Sequence, residues 1–393
     1  REIPMNRKDV CELLKLAREL DDWMADASWP LWFEKGIHTS SRYYETLEFD
    51  GTPRRLAESR VRTQVRQVFC FALAHQMGWR PEATADHVRR ALPLALSAVL
   101  RHDGIAGRTI DIGRGELLDR TADLYDTAFC LMAIARSRAI VGAVETDRMA
   151  VTLFASLDKH LRYKGVNGYR ETLPAHELRQ QNPHMHFYES LLLYYEMSGR
   201  DDVWDRAEEV YRFVSNLFFD EDSGVVRESA RNDGTCAKSG YDPGHSMEWI
   251  WLLGYRARLG GLALPDFTFP LYERAAAAYQ KHGWTYLFLD DDDELDVTTA
   301  RLWSQVETLK GHLCIAELGD EARAKFAVQP AVRCARDIRD NWLQSETPGG
   351  WLDQFDANRR MTADGMPAST GYHLYLAIAE LKRVAELLDQ RTE

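Results

Sequence analysis

Residues 184–217 read HMHFYESLLLYYEMSGRDDVWDRAEEVYRFVSNL. Apolar residues recur at three- and four-residue steps on both sides of Gly199, the spacing of helices with one buried face. Gly199 suits the end of the first helix, and Asp201 and Asp202 suit the start of the second. Only Arg200-Asp201 joins them, so the two helices are antiparallel neighbours. The connection before this hairpin, Arg162–Pro183, is long and polar, and loops beyond about 12–15 residues tend to be functional.

The same rhythm extends in both directions. Twelve helical segments are expected near Asp9–Ala27, Arg54–Gly78, Pro81–Arg101, Leu117–Arg136, Val144–Leu161, His184–Gly199, Asp202–Leu217, Pro243–Leu259, Pro265–His282, Val297–Leu318, Glu321–Trp342 and Ser369–Leu388. Alternating strand-like runs are scarce. Short joins (Trp79-Arg80, Arg200-Asp201, Gly260 to Leu264, Gly319-Asp320) alternate with long ones: Ser28–Pro53, His102–Glu116, Arg162–Pro183, Phe218–Asp242, Gly283–Asp296 and Leu343–Ala368. Six long joins between six hairpins imply an all-α (α/α)6 barrel in which every long join lies on one face. The even-numbered helices then form the inner ring, and their starts open onto that face. No glycine-rich linker divides residues 1–393, which reads as a single catalytic domain.

Composition narrows the function. A net charge of −12, with both signs mixed along the helices, argues against a nucleic-acid partner. No apolar run approaches the ~18 residues of a membrane span, and the stretch Arg1-Glu2-Ile3-Pro4-Met5 carries no apolar signal core. The six cysteines are scattered without a CxxC spacing, which reads as reduced thiols in a cytoplasmic protein. The acidic run Asp290–Asp293 with Glu294 lacks the glycine and spacing of a calcium loop and reads as a solvated loop. No phosphate-cradling glycine motif is present.

Four histidines, His184, His186, His245 and His373, stand just inside helix starts that follow long connections. Imidazole is the side chain suited to moving protons near neutral pH. His186 and Glu189 are three apart and share a face, as do His245 and Glu248, whereas His184 points elsewhere and has a supporting or capping role. On the inner helices these join Tyr125 and Asp126, Trp303 and Glu307, and Arg66, with Arg62 one turn before it. One of the two arginines is placed to hold a developing oxyanion. The same histidine–glutamate pairs are metal-ligand types, but the spacing supplies no complete set, so no metal is expected.

Taken in order, Val65-Arg66-Gln67-Val68, Leu124-Tyr125-Asp126-Thr127-Ala128-Phe129, Gln181-Asn182-Pro183-His184-Met185-His186, Pro243-Gly244-His245-Ser246-Met247-Glu248-Trp249, Leu302-Trp303-Ser304-Gln305-Val306-Glu307, Gly349-Gly350-Trp351-Leu352-Asp353 and Tyr372-His373 resemble the N-acylglucosamine 2-epimerase family. Bacterial mannose isomerases are the members they look most like. The resemblance implies the same (α/α)6 barrel and cofactor-independent proton transfer at C2 of a reducing sugar. It implies His245 and His373 as acid/base pair and Arg66 on the sugar's carbonyl end. His186, Glu248, Trp303 and Glu307 fall in the substrate shell, with Asn182 and Tyr125 from the matching stretches and Trp251 as an aromatic of the eighth helix. The expected reaction interconverts D-mannose and D-fructose through a cis-enediolate. A sugar 2-epimerase of the N-acylglucosamine or cellobiose type is the alternative, followed by a glycoside hydrolase using Glu248 and Glu307 and a non-catalytic sugar-binding barrel. The expected partner is a small monosaccharide, with neither nucleic acid nor membrane, and a homodimer is left open.

Overall fold

A computed structural model describes residues 6–164 and 168–392; the amino-terminal stretch read above lies outside the described residues. Twelve principal helices follow one another: α1 (Arg7–Trp23), α2 (Val61–Gln76), α3 (Pro81–Val99), α4 (Leu124–Arg136), α5 (Ala143–His160), α6 (Gln181–Ser198), α7 (Asp201–Phe218), α8 (Pro243–Gly260), α9 (Thr268–His282), α10 (Leu302–Leu318), α11 (Glu321–Asp337) and α12 (Gly371–Thr392). Inner helices pack in sequence, α2 on α4, α4 on α6, α6 on α8, α8 on α10 and α10 on α12, and α12 returns to α2. The ring is closed. Each odd helix backs onto the ring, and α1 packs on α12 and α11 to complete the outer layer. The architecture is an (α/α)6 barrel.

Burial explains which helices are inside. Positions 61–74 of α2 are buried except Arg62, and α6, α8 and α10 are buried around nearly their whole circumference. A helix enclosed on every side cannot present a polar face. The outer helix α7 buries only Val203, Ala207, Val210, Phe213, Val214 and Phe218, a single stripe. No described helix is long and apolar enough to cross a membrane.

Three inner helices start later than expected. Residues 58–60 pair antiparallel with Thr109–Asp111, so α2 begins at Val61 rather than near Arg54. Glu116–Asp119 pairs with the same strand, so α4 begins at Leu124 rather than near Leu117, capped by Asp123. Leu295–Arg301 pairs with Tyr286–Leu289, which moves the start of α10 from Val297 to Leu302. Glu58–Arg60 and Glu116–Asp119 are too short to carry an apolar alternation of their own, so they ran on into the helical pattern behind them. The β-branched run Val297-Thr298-Thr299 was the visible warning. At the other end of the expected range, the first helix continues through a wider turn at Met24–Ser28 into Trp29–Lys35. The acidic run at 290–294 is the tip of the Tyr286–Arg301 hairpin, where Asp291 pairs with Arg227 and Asp293 with Arg274.

These short strands hold the long joins over one end of the ring. Arg179–Gln180 pairs with Ser229–Ala230, and Arg301 and Gln354 sit opposite each other in a further pairing. Thus the residues just before α6 and α10 are fixed, and with them the side chains of the first helical turn.

Close approach of α8 and α10 depends on two glycines. A Cβ on Gly254 would collide with Cys314 Sγ, and one on Gly311 with Met247 Sδ. Gly254→Val is therefore expected to cost about 1–3 kcal/mol of stability through overpacking. The denaturant midpoint measures it, and an unchanged midpoint would contradict the packing described.

Candidate active site

The starts of the inner helices converge on a cavity of about 330 Å³ whose lining includes Arg66, Tyr125, Asn182, His186, His245, Glu248, Trp303 and His373. His245 and His373 each occupy the third position of their helix. Both face one indole: Trp303 lies 5.1 Å from the His245 ring and 5.8 Å from the His373 ring, centroid to centroid. His186 is 6.2 Å from His373. Of the acid/base and substrate-shell residues that the resemblance implies, Glu307 and Trp251 do not line this cavity.

Glu307 lies directly behind it. Its Oε1 is 2.7 Å from His373 Nδ1, so the imidazole donates Nδ1–H and keeps the Nε2 lone pair. Burial, then the positive charges of Arg66 and Lys310 and the other imidazoles, hold the His373 pKa well below its usual 6.5. His373 is therefore a neutral base.

His245 has the opposite character. Its Nδ1 is 3.0 Å from both oxygens of Glu228 and 3.6 Å from Asp242. Burial disfavours its charged form, but the Glu228 and Asp242 carboxylates outweigh burial and hold its pKa well above 6.5. Asp242 also caps α8, accepting from the backbone of Gly244 and His245; burial pushes its own carboxyl up to about 7. His245 is an imidazolium with a second N–H to give.

The floor beneath is made of buried charge. His186 donates Nδ1–H to Glu189 at 3.0 Å, and burial lowers its pKa to about 4. Tyr372 donates its hydroxyl to the same Glu189. Glu248 is fully buried, and neither oxygen has a hydrogen-bond partner; burial and the nearby Glu307 push its pKa well above 4.5. It is an uncharged carboxylic acid able to donate to a hydroxyl. Asn182 Oδ1 is likewise without a partner.

The structure separates the two arginines. Arg62 makes a bidentate pair with Asp126, both contacts 3.0 Å. Arg66 donates to Tyr125 Oη at 2.7 Å and to the Ser369 carbonyl at 3.3 Å, and its guanidinium lies over the Phe129 ring at 4.0 Å. Among the described residues no carboxylate pairs with Arg66. Its charge is uncommitted and faces the cavity.

Trp251 must be corrected. It is buried between Tyr255, stacked at 5.3 Å, and the Lys310 ammonium, 3.8 Å from its ring. It lines a separate cavity at the opposite end of the ring, together with Leu73, Arg136 and Glu196. Six residues after His245 the helix has carried its side chain to the other end. His184 also turns away, accepting from the Tyr169 amide at 3.2 Å and bonding the Gln180 carbonyl at 3.0 Å. It ties the preceding loop to α6.

Two residues were missed. Glu228 sits beside the Arg179–Gln180 pairing, where its carbonyl accepts from Gln181 N, and nothing in its local sequence marks it. Lys310 had a signal. It is the one cation in Leu302–Ala316, an otherwise enclosed helix, three residues after Glu307; its Nζ is 2.7 Å from Glu307 Oε2. Two donor groups of metal-ligand type also meet here, His186 with Glu189 and Glu248, and Glu248 with Glu307 and His373. The Lys310 ammonium already occupies the position of countercharge to this cluster.

Comparison with known proteins agrees with this geometry. Residues 43–377 match the family described as N-acylglucosamine 2-epimerase (GlcNAc 2-epimerase). A mannose-6-phosphate isomerase of Rhizobium meliloti (strain 1021) is 31% identical over 386 residues, 93% of this chain and 96% of that protein. The cellobiose 2-epimerase from Spirochaeta thermophila DSM 6192 superposes with a TM-score of 0.85 at 21% identity, covering 95% of this chain and 98% of that one. A D-mannose isomerase superposes at 0.79 with 19% identity, covering 94% and 97%. The two structures speak for the barrel. The family match and the 31% relative speak for more: the chain is an enzyme of the N-acylglucosamine 2-epimerase family, whose members epimerise and isomerise sugars.

Proposed function

We propose that the enzyme interconverts D-mannose and D-fructose by proton transfer. The observation that carries this reading is the pairing of a neutral imidazole, His373, with an imidazolium, His245, across one indole. His245 donates to the sugar's ring oxygen as the ring opens and takes the proton of the anomeric hydroxyl in return. His373 Nε2 then takes the proton from C2, giving a cis-enediolate. Arg66, without a carboxylate of its own, carries the negative charge that develops on the enediolate oxygen; losing one such donor typically costs about 10²–10³ in rate. A proton passes from O2 to O1 by way of His245, His373 returns its proton to C1, and the product is the ketose. Asn182 and the neutral acid of Glu248 receive sugar hydroxyls.

The relative that shares 31% identity is named an isomerase, which supports isomerisation. A 2-epimerase is the second reading, because an imidazolium opposite a neutral imidazole also suits delivery of a proton to the other face of C2. Incubation with mannose in D₂O, followed by NMR, separates them. Fructose carrying deuterium at C1 is expected, and glucose as sole product would overturn isomerisation.

That relative's name specifies a phosphorylated sugar, whereas the mouth here suits a neutral one. Arg60 is paired with Glu45 at 2.5 Å, Arg62 with Asp126, and Arg301 with Asp353 at 2.6 Å. A phosphate dianion would compete with a carboxylate at each. Mannose is expected to have the higher kcat/KM when compared directly with mannose 6-phosphate.

Acid and base also fix the pH dependence. His373 must be neutral, which its depressed pKa ensures, and its Nδ1 partner Glu307 must be ionised; burial pushes that carboxyl up to about 7, so Glu307 sets the acid limb of kcat/KM. His245 must be protonated, and its pKa is raised, so the alkaline limb lies above pH 6.5. Glu228→Gln removes the strongest carboxylate acting on His245 and is expected to move only the alkaline limb, to lower pH. His245→Ala and His373→Ala should each reduce kcat by about 10²–10⁴, the usual contribution of a general acid or base, with folding unchanged by circular dichroism. Excess chelator is expected to leave turnover intact; loss reversed by zinc or manganese would refute a metal-free reaction.

A further inference from the structure

The Lys310 ammonium lies inside the protein, shut off from solvent and from the sugar cavity. Its surroundings are specific. Glu307 Oε2 is 2.7 Å away on its own helix, and the face of Trp251 covers it at 3.8 Å. Glu189 of α6, Glu248 of α10's neighbour α8, and Glu380 of α12 also act on it or feel its charge. A buried ammonium is costly unless a partner charge answers it. The other oxygen of Glu307 receives the Nδ1 hydrogen of His373 at 2.7 Å, so ammonium, carboxylate and imidazole form one line ending at the cavity.

We propose that Lys310 is a positioning residue: seated on Glu307, it keeps that carboxylate a pure acceptor for the Nδ1 hydrogen of His373, so that the imidazole presents its Nε2 lone pair to the sugar. This rests on the proton-transfer reading above. Burial already pushes the Glu307 carboxyl up to about 7 with Lys310 in place, and Lys310 is the largest influence holding it down. Without the ammonium, burial and the charge of Glu189 act on Glu307 with only the His245 imidazolium to oppose them, and the carboxylate takes up a proton. A protonated Glu307 donates instead of accepting. His373 then accepts at Nδ1, carries its hydrogen on Nε2, and cannot receive a proton from carbon. Lys310 touches no part of the cavity, so sugar binding is spared.

Lys310→Met preserves chain length and removes the charge. In enzyme labelled with ¹⁵N-histidine, side-chain ¹H–¹⁵N spectra report each tautomer, and the His373→Gln spectrum identifies the His373 signal. At about pH 8, above the Glu307 pKa of about 7, the wild type is expected in the Nδ1–H form and Lys310→Met in the Nε2–H form. With mannose, kcat should fall by about 10²-fold or more while KM changes by less than about threefold. The double variant Glu307→Gln with Lys310→Met supplies a neutral acceptor that needs no countercharge. It is expected to regain the Nδ1–H form and to exceed Lys310→Met in kcat, a non-additivity that a space-filling lysine would not produce. If Lys310→Met does not fold, the double variant alone is read against wild type, and an Nε2–H signal in it overturns the proposal. An unchanged tautomer or an undiminished kcat in folded Lys310→Met also overturns it. A tautomer change in an enzyme that does not turn over any aldose would sustain the role of Lys310 and reject the assigned reaction.

Discussion

Everything at the site depends on closing a ring of six helices around an axis that must hold ionisable side chains. Once α12 meets α2, the inner helices have no solvent face. Any charge pointing to the axis has left water and must find a partner there. The partners are Lys310 with Glu307, His186 with Glu189, and Tyr372 with Glu189. They lie between two cavities, the mouth with its histidines and the pocket by Trp251 and Arg136, which Glu189 also lines. This layer of pairs floors the mouth, where Asn182 Oδ1 and both Glu248 oxygens are left unbonded by the protein. Such groups favour a ligand that brings hydroxyls.

How much of this could be read beforehand depends on the range of the interactions. The hairpin rhythm was legible because the buried stripe of α7 and the enclosed character of α6 are local properties, marked by Gly199 and Asp201. Faces within one helix were legible too: His186 and Glu189 were paired from their spacing, and they bond at 3.0 Å. Across helices the sequence was silent. Glu228 reaches His245 from a connection between α7 and α8 whose position depends on strand pairing with residues before α6. Arg66 and Arg62 could not be ranked until Asp126 was seen to engage one of them. Trp251 was carried to the site by resemblance although the pitch of α8 takes it to the other end. Strands failed for a related reason: two or three paired residues draw their stability from a distant partner and leave almost no periodic trace.

The same residue type does two opposite jobs at equivalent positions, and the difference is one of depth. His245 and His373 both stand at the third position of an inner helix, where the helix dipole disfavours an imidazolium. His373 is matched with a carboxylate at the axis whose charge is already answered by Lys310. Only the hydrogen-bonding preference of Glu307 is left to it, which fixes a tautomer without supplying net negative charge. His245 is matched with Glu228, which lies nearer the mouth and is partly exposed, with Asp242 beside it and no cation within ion-pair distance of either except His245 itself among the described residues. Its two carboxylates therefore act as uncompensated charge. A positive imidazole and a neutral one arise from the same side chain because one partner is balanced and the other is not. Exchange of the two charge states would require moving a cation from the axis to the rim, so which imidazole is positive follows from where the barrel places Lys310.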